Sequence, residues 1–198
     1  MKRDNVSTEM TRISFSKSPP RLCRENTKWI ADVVRFYESP RVFNLNLNCL
    51  RILDLNYMGL TDECLGMLCH ALWSRKGPLV ELEYLLLLNN TNITDECTGR
   101  LLDAIDKSCV NLRHLNLRRC NIGDVSCALI SKYMIEHQRT TKIRHIDLEF
   151  NTKITKMGTD KIHKMFNVKN RQFVDELVIH YGANKKSYCW ECRTLYDQ

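Results

Sequence analysis

The chain has 198 residues, 43% of them hydrophobic and 27% charged, which suits one globular domain and excludes wholesale disorder. No apolar run nears the roughly 20 residues that span a bilayer, and the polar start Met1-Lys2-Arg3-Asp4-Asn5 leads into no apolar stretch of a secretory signal. The formal charge of +7 is polarised, because residues 22–106 hold 8 basic against 12 acidic side chains and residues 107–169 hold 13 against 5.

Residues 1–21, rich in Ser and Thr and ending near Pro19-Pro20, are expected to form a flexible arm. Arg12, Lys17 and Arg21 among those hydroxyls also suit a mitochondrial transit peptide, which Asp4 and Glu9 oppose. Arg24 to Tyr37 reads as an amphipathic helix with Trp29, Ile30, Val33, Val34 and Tyr37 on one side, stopped by Ser39-Pro40. It supplies an N-terminal cap over residues 22–40. Four apolar triplets then superimpose: Leu50-x-x-Leu53-x-Leu55, Leu82-x-x-Leu85-x-Leu87, Leu112-x-x-Leu115-x-Leu117 and Ile143-x-x-Ile146-x-Leu148. A fainter fifth is Val174-x-x-Leu177-x-Ile179, and successive triplets lie 30 to 32 residues apart. Each of the first four is followed by a half-kept asparagine position, Met58, Asn90, Cys120 or Asn151, and by an aliphatic residue, Leu60, Ile93, Ile122 or Ile154.

A helix start follows each aliphatic residue. Thr61 and Thr94 suit N-caps, and Asp62, Asp95 and Asp124 complement the positive end of a helix dipole. The stripe Leu68/Leu72, Leu101/Ile105, Ile130/Met134 and Ile162/Phe166 has the i, i+4 spacing of a core-facing helix side. Cys64, Cys97, Ser126 and Gly158 share one small-residue position, where the helix is expected to press closest to the strand. Residues 182–198, with Tyr188, Trp190, Leu195 and Tyr196, are expected to fold over the last repeat as a capping tail.

The pattern L-x-x-L-x-L-x-x-N/C-x-L resembles leucine-rich repeats of the ribonuclease-inhibitor-like or tropomodulin-like kind, over roughly residues 22 to 181. The resemblance implies an α/β fold: a right-handed leucine-rich-repeat solenoid of about five repeats over residues 50–181. Its parallel strands would form the concave face and its α-helices the convex face.

Motifs for chemistry are missing. No Gly-rich phosphate loop, H-E-x-x-H or nucleophile elbow occurs, so the chain is expected to be no enzyme, with no cofactor and no metal. The 10 cysteines read as buried, reduced packing residues. Cys189-x-x-Cys192 is a single pair that would need His163 or His180 to complete a zinc site, so it reads as part of the capping tail. If the Leu positions point inward, alternate strand residues line the groove. Ile52, Asp54, Asn56, Tyr84, Leu86, Leu88, His114, Asn116, Arg118, His145, Asp147, Glu149, Glu176, Val178 and His180 fall there, with Tyr57, Phe150, Tyr181, Arg51, Arg113 and Arg144 near them. Ile52, Tyr84, Leu86 and Leu88 make an apolar cluster that a solvent-facing sheet seldom leaves uncovered. The expected function is protein–protein interaction, with a protein or peptide in the groove and the module acting as an adaptor or scaffold. Covering of the cluster by the chain's own arm or tail is the competing account. The alternative function is RNA or anionic-surface binding through the basic residues 107–169. Neither a small-molecule ligand nor a membrane is expected, and the cytoplasm is the expected compartment, with the nucleus second.

Overall fold

The computed structural model describes residues 12–14, 50–74, 77–166 and 178–181. The helix expected over Arg24–Tyr37 and the tail 182–198 lie outside the described residues. Among those described, the chain alternates strand and helix in an α/β arrangement. The strands are β1 (Arg12–Ser14), β2 (Ile52–Asp54), β3 (Tyr84–Leu86), β4 (His114–Asn116), β5 (His145–Asp147) and β6 (Val178–His180). The α-helices are α1 (Asp62–Trp73), α2 (Thr98–Ser108), α3 (Asp124–Glu136) and α4 (Lys156–Phe166), with one 3-10 turn, Asp95–Cys97, ahead of α2. All strands pair in parallel in the order β1-β2-β3-β4-β5-β6. No described helix is long and apolar enough to cross a membrane.

The triplet residues build the core. Leu53, Leu85, Leu115 and Ile146 are aligned partners across β2 to β5, and each is at most 1% exposed. Leu55, Leu87, Leu117 and Leu148 lie beneath them, faced by Leu68, Leu101, Ile130 and Ile162 from the helices. Each such side chain contributes about 1.5–3 kcal/mol when fully buried. Asparagines tie the strands' ends to this core. Asn90 donates from Nδ2 to the carbonyls of Leu55 (3.0 Å) and Leu87 (2.8 Å), and its Oδ1 accepts the Leu60 N–H at 3.0 Å. Asn151 donates likewise to Leu117 and Leu148, both at 2.8 Å.

Two sequence expectations need correction at the sheet's ends. Arg12–Ser14, placed by composition in a flexible arm, forms the edge strand β1, with Ile13 in register with Leu53. The sequence around it, Met10-x-x-Ile13-x-Phe15, repeats the apolar spacing of the triplets. At the other end the pairing is Ile146 with Ile179, not Ile146 with Leu177. The register is thus two residues further on, and Tyr181 takes the place of Leu148, where it packs against the core with Ile179. A slip of two preserves the alternation of the strand, so the same face still points inward. Tyr181 is fixed there by a hydrogen bond between its hydroxyl and Nε2 of His163 on α4.

The helix starts carry a feature that dipole arguments alone do not anticipate. Thr61 caps α1 by accepting the Cys64 N–H at 3.3 Å, as expected. The following aspartate, however, reaches across to the next unit. Asp62 accepts from the N–H (2.8 Å) and hydroxyl (2.6 Å) of Thr94. Asp95 accepts from Gly123 N–H (2.7 Å), Ser126 N–H (3.1 Å) and the Ser126 hydroxyl. Asp124 accepts from Thr155 N–H (2.7 Å), Thr155 hydroxyl (2.6 Å) and Gly158 N–H (3.0 Å). This explains the small-residue position: a Cβ on Gly158 would collide with Oδ1 of Asp124. The constraint there is the neighbouring carboxylate, not the strand. Replacing Asp95 by Ala is expected to lower the unfolding free energy by about 2–3 kcal/mol, since it strands three donors. Urea titration of Asp95→Ala beside Glu96→Ala measures this, and equal midpoints would refute the cross-unit link.

Candidate interaction surface

The outward strand residues form rows fixed by the parallel register. In the first, Ile52, Tyr84, His114, His145 and Val178 are successive partners. The rings of Tyr84 and His114 stack with centroids 4.5 Å apart, and those of His114 and His145 at 4.3 Å and 4°. Ile52, Tyr84 and His145 are half-buried and Val178 is exposed, whereas His114 is buried. Burial, and then the neighbouring His145 and Arg113, push the His114 pKa down to about 3, so its imidazole is neutral in the folded protein.

The second row is Asp54, Leu86, Asn116, Asp147 and His180. Its polar members bond locally: Asp54, Asn116 and Asp147 each accept the N–H two residues on, from Asn56 (3.2 Å), Arg118 (2.9 Å) and Glu149 (3.0 Å). Leu86 has no acceptor to offer, and the Leu88 N–H is met from the preceding unit by Oδ1 of Asn56 at 2.7 Å. The expectation that Leu86 and Leu88 stand open to solvent does not hold, for they are 2% and 7% exposed. Strands spaced about 4.8 Å apart flank a side chain on an inner strand with neighbours on both sides. Only Ile52 and Tyr84 of the expected apolar cluster retain partial exposure.

Two residues beyond, Arg118 is drawn into an ion cluster. Its guanidinium lies 3.1 Å from Oε2 of Glu149 and 4.0 Å from Oδ2 of Asp147, and it covers the Phe150 ring at 4.6 Å. All three charged side chains are largely withdrawn from water. Arg51 is different: its 2.8 Å pair with Glu83 is exposed and of little energetic weight. Of the basic residues that would serve an RNA surface, Arg113, Arg119, Lys132, Arg139, Lys142, Lys153, Lys156, Lys161 and Lys164 are exposed.

The described cysteines are free and buried. Burial raises Cys69, Cys120 and Cys127 to about 12, which leaves protonated, poorly nucleophilic thiols. Among the described residues no three His, Cys, Asp or Glu side chains gather as a metal cluster.

Sequence reasoning missed the turns that leave the strands. Tyr57, Asn89, Arg119 and Phe150 occupy one repeat position and all adopt left-handed backbone, with φ between 52° and 60°. Such a conformation costs a non-glycine residue roughly 1–2 kcal/mol. It is held because the N–H of Tyr57, Asn89 and Arg119 each donates to a carbonyl of the next unit, at 2.9 Å. Between the turns opens a cleft of about 790 Å³, lined by residues including Asn89, Thr91, Arg119, Asn121, Phe150 and Thr152. The position just before each ladder residue was the available signal. No family model matches the chain, and no curated protein matches it either.

Proposed function

We propose that the chain is a leucine-rich-repeat solenoid of the ribonuclease-inhibitor-like kind, acting as a non-enzymatic module that binds a protein or peptide across its strand face. Its strands would be concave and its helices convex, as in that family. The observation that carries this reading is the unbroken parallel register, which sets the outward residues of five neighbouring strands in one row, from Ile52 through Tyr84, His114 and His145 to Val178. Half-exposed Tyr84, braced by the His114 ring, is a suitable anchor, since rigid aromatic residues commonly dominate interfaces. Buried Asp54, Asp147 and Glu149, with half-buried Arg118, would hold the face in shape, and the strand position of His180 would extend it on β6. Thiols with raised pKa values and a neutral His114 support a binding role over nucleophilic catalysis. The RNA reading is weakened by Arg118, whose charge is matched by Glu149 and Asp147.

Affinity purification from the source cell tests the proposal, with wild type, Tyr84→Ala and Lys164→Ala as baits. Proteins retained by wild type and Lys164→Ala should be lost or strongly reduced on Tyr84→Ala. Retention of RNA alone, abolished by nuclease, would reject the reading in favour of the nucleic-acid alternative.

A further inference from the structure

We propose that the cleft between the strand-end turns binds an acidic peptide segment, with the Arg119 guanidinium receiving a carboxylate. The inference rests on the protein-interaction reading above and names the partner's chemistry. Three of the four left-handed residues, Asn89, Arg119 and Phe150, line this one cleft, which joins three consecutive units. Arg119 is exposed and makes no ion pair among the described residues; its guanidinium rests 5.2 Å from the Phe150 ring centroid. Arg118 next to it is already matched by Glu149 and Asp147, so Arg119 is the cation left to meet a ligand. Among the described residues no carboxylate lines the cleft, and the surrounding stretch 107–169 is the strongly basic part of the chain.

The rest of the lining selects among anions. Asn89, Asn121, Thr91 and Thr152 offer acceptors as well as donors. A peptide main chain, with N–H and C=O alternating, uses both kinds, whereas phosphate groups would use the donors alone. A planar guanidinium also matches a carboxylate in a bidentate fashion. A nucleobase would want an open aromatic face, yet the Phe150 ring already carries the guanidiniums of Arg118 and Arg119. The volume of about 790 Å³ lies within the range of recognised binding pockets and admits a short stretch of chain.

Fluorescence anisotropy on the full chain tests this with three labelled probes: hexaglutamate, hexalysine and a six-nucleotide oligouridine. Hexaglutamate should bind and hexalysine should not. Arg119→Asn, a replacement that tolerates left-handed backbone, should weaken hexaglutamate by about tenfold. Lys161→Asn, the same charge change on α4, should alter it by less than about twofold. Equal losses in the two variants, absence of hexaglutamate binding, or tighter oligouridine binding that Arg119→Asn abolishes would each overturn the proposal. If hexaglutamate fails while Tyr84→Ala still loses its protein partners, the peptide-cleft inference falls and the interaction reading stands.

Discussion

Arg118→Met is expected to lower the unfolding free energy by about 3–5 kcal/mol, the largest single-residue effect anticipated here. The guanidinium side chain is 12% exposed and faces carboxylates that are 3% and 7% exposed. Removing it leaves two adjacent negative charges where water cannot screen them well. Methionine retains much of the packing volume against Phe150, which isolates the electrostatic loss. Arg118→Lys keeps a charge but loses the planar fork, so an intermediate loss should follow. Adding Glu149→Gln to Arg118→Met should recover part of the deficit, because one of the stranded charges is then absent. Urea unfolding of the four proteins measures these differences. A loss below about 1 kcal/mol in Arg118→Met would mean that solvent screens the cluster.

Acid sensitivity beginning near neutrality is the second large effect. The His114 pKa lies at about 3 in the folded protein, against an ordinary value of 6.5. Between these values the unfolded chain takes up a proton that the folded chain refuses, so stability is full above pH 6.5 and falls as the pH drops toward 3. The loss reaches about 2 kcal/mol by pH 5. His114→Phe keeps an aromatic ring between Tyr84 and His145 and removes the titration, so its stability should stay flat over that interval. Thermal melts from pH 7 to pH 5 distinguish the two, and parallel curves would refute the assignment. A separate acid limb belongs to the aspartates. Burial opposes ionisation of Asp62, but hydrogen bonds from Cys97 and Thr94 outweigh it and lower its pKa. The Thr155 hydroxyl and N–H lower that of Asp124. Their contribution is present above the ordinary carboxylate value and is lost as pH falls through their depressed values.

The apolar spacing made the interior legible because burial acts on every repeat alike. Leu53, Leu85, Leu115 and Ile146 could be aligned on paper and are aligned in the sheet. Where spacing drifted, the reading failed. Ile13 lies forty residues ahead of Leu53, outside the common period, and a Ser- and Thr-rich context disguised it. At β6 two overlapping apolar sets, Leu177/Ile179 and Ile179/Tyr181, both fit an alternating pattern, and only pairing with β5 selects the second. The outward rows were legible by position but not by exposure. Whether Leu86 meets water depends on flanking side chains from other strands, which a one-dimensional pattern does not encode. The same holds for Arg118, whose partners Asp147 and Glu149 stand 29 and 31 residues away in the chain.

The aspartate contacts have a direction. Among the described residues, Asp62, Asp95 and Asp124 each serve the unit that follows. A unit that melts therefore robs its successor's helix start of acceptors, whereas its predecessor loses strand and asparagine bonds, such as that from the Leu60 N–H to Asn90, but keeps the acceptors at its own helix start. Lys156 stands where the fourth aspartate would be, so this position of α4 offers no carboxylate. The helix starts are thus coupled one way along the chain, while the strand and asparagine bonds tie neighbouring units both ways.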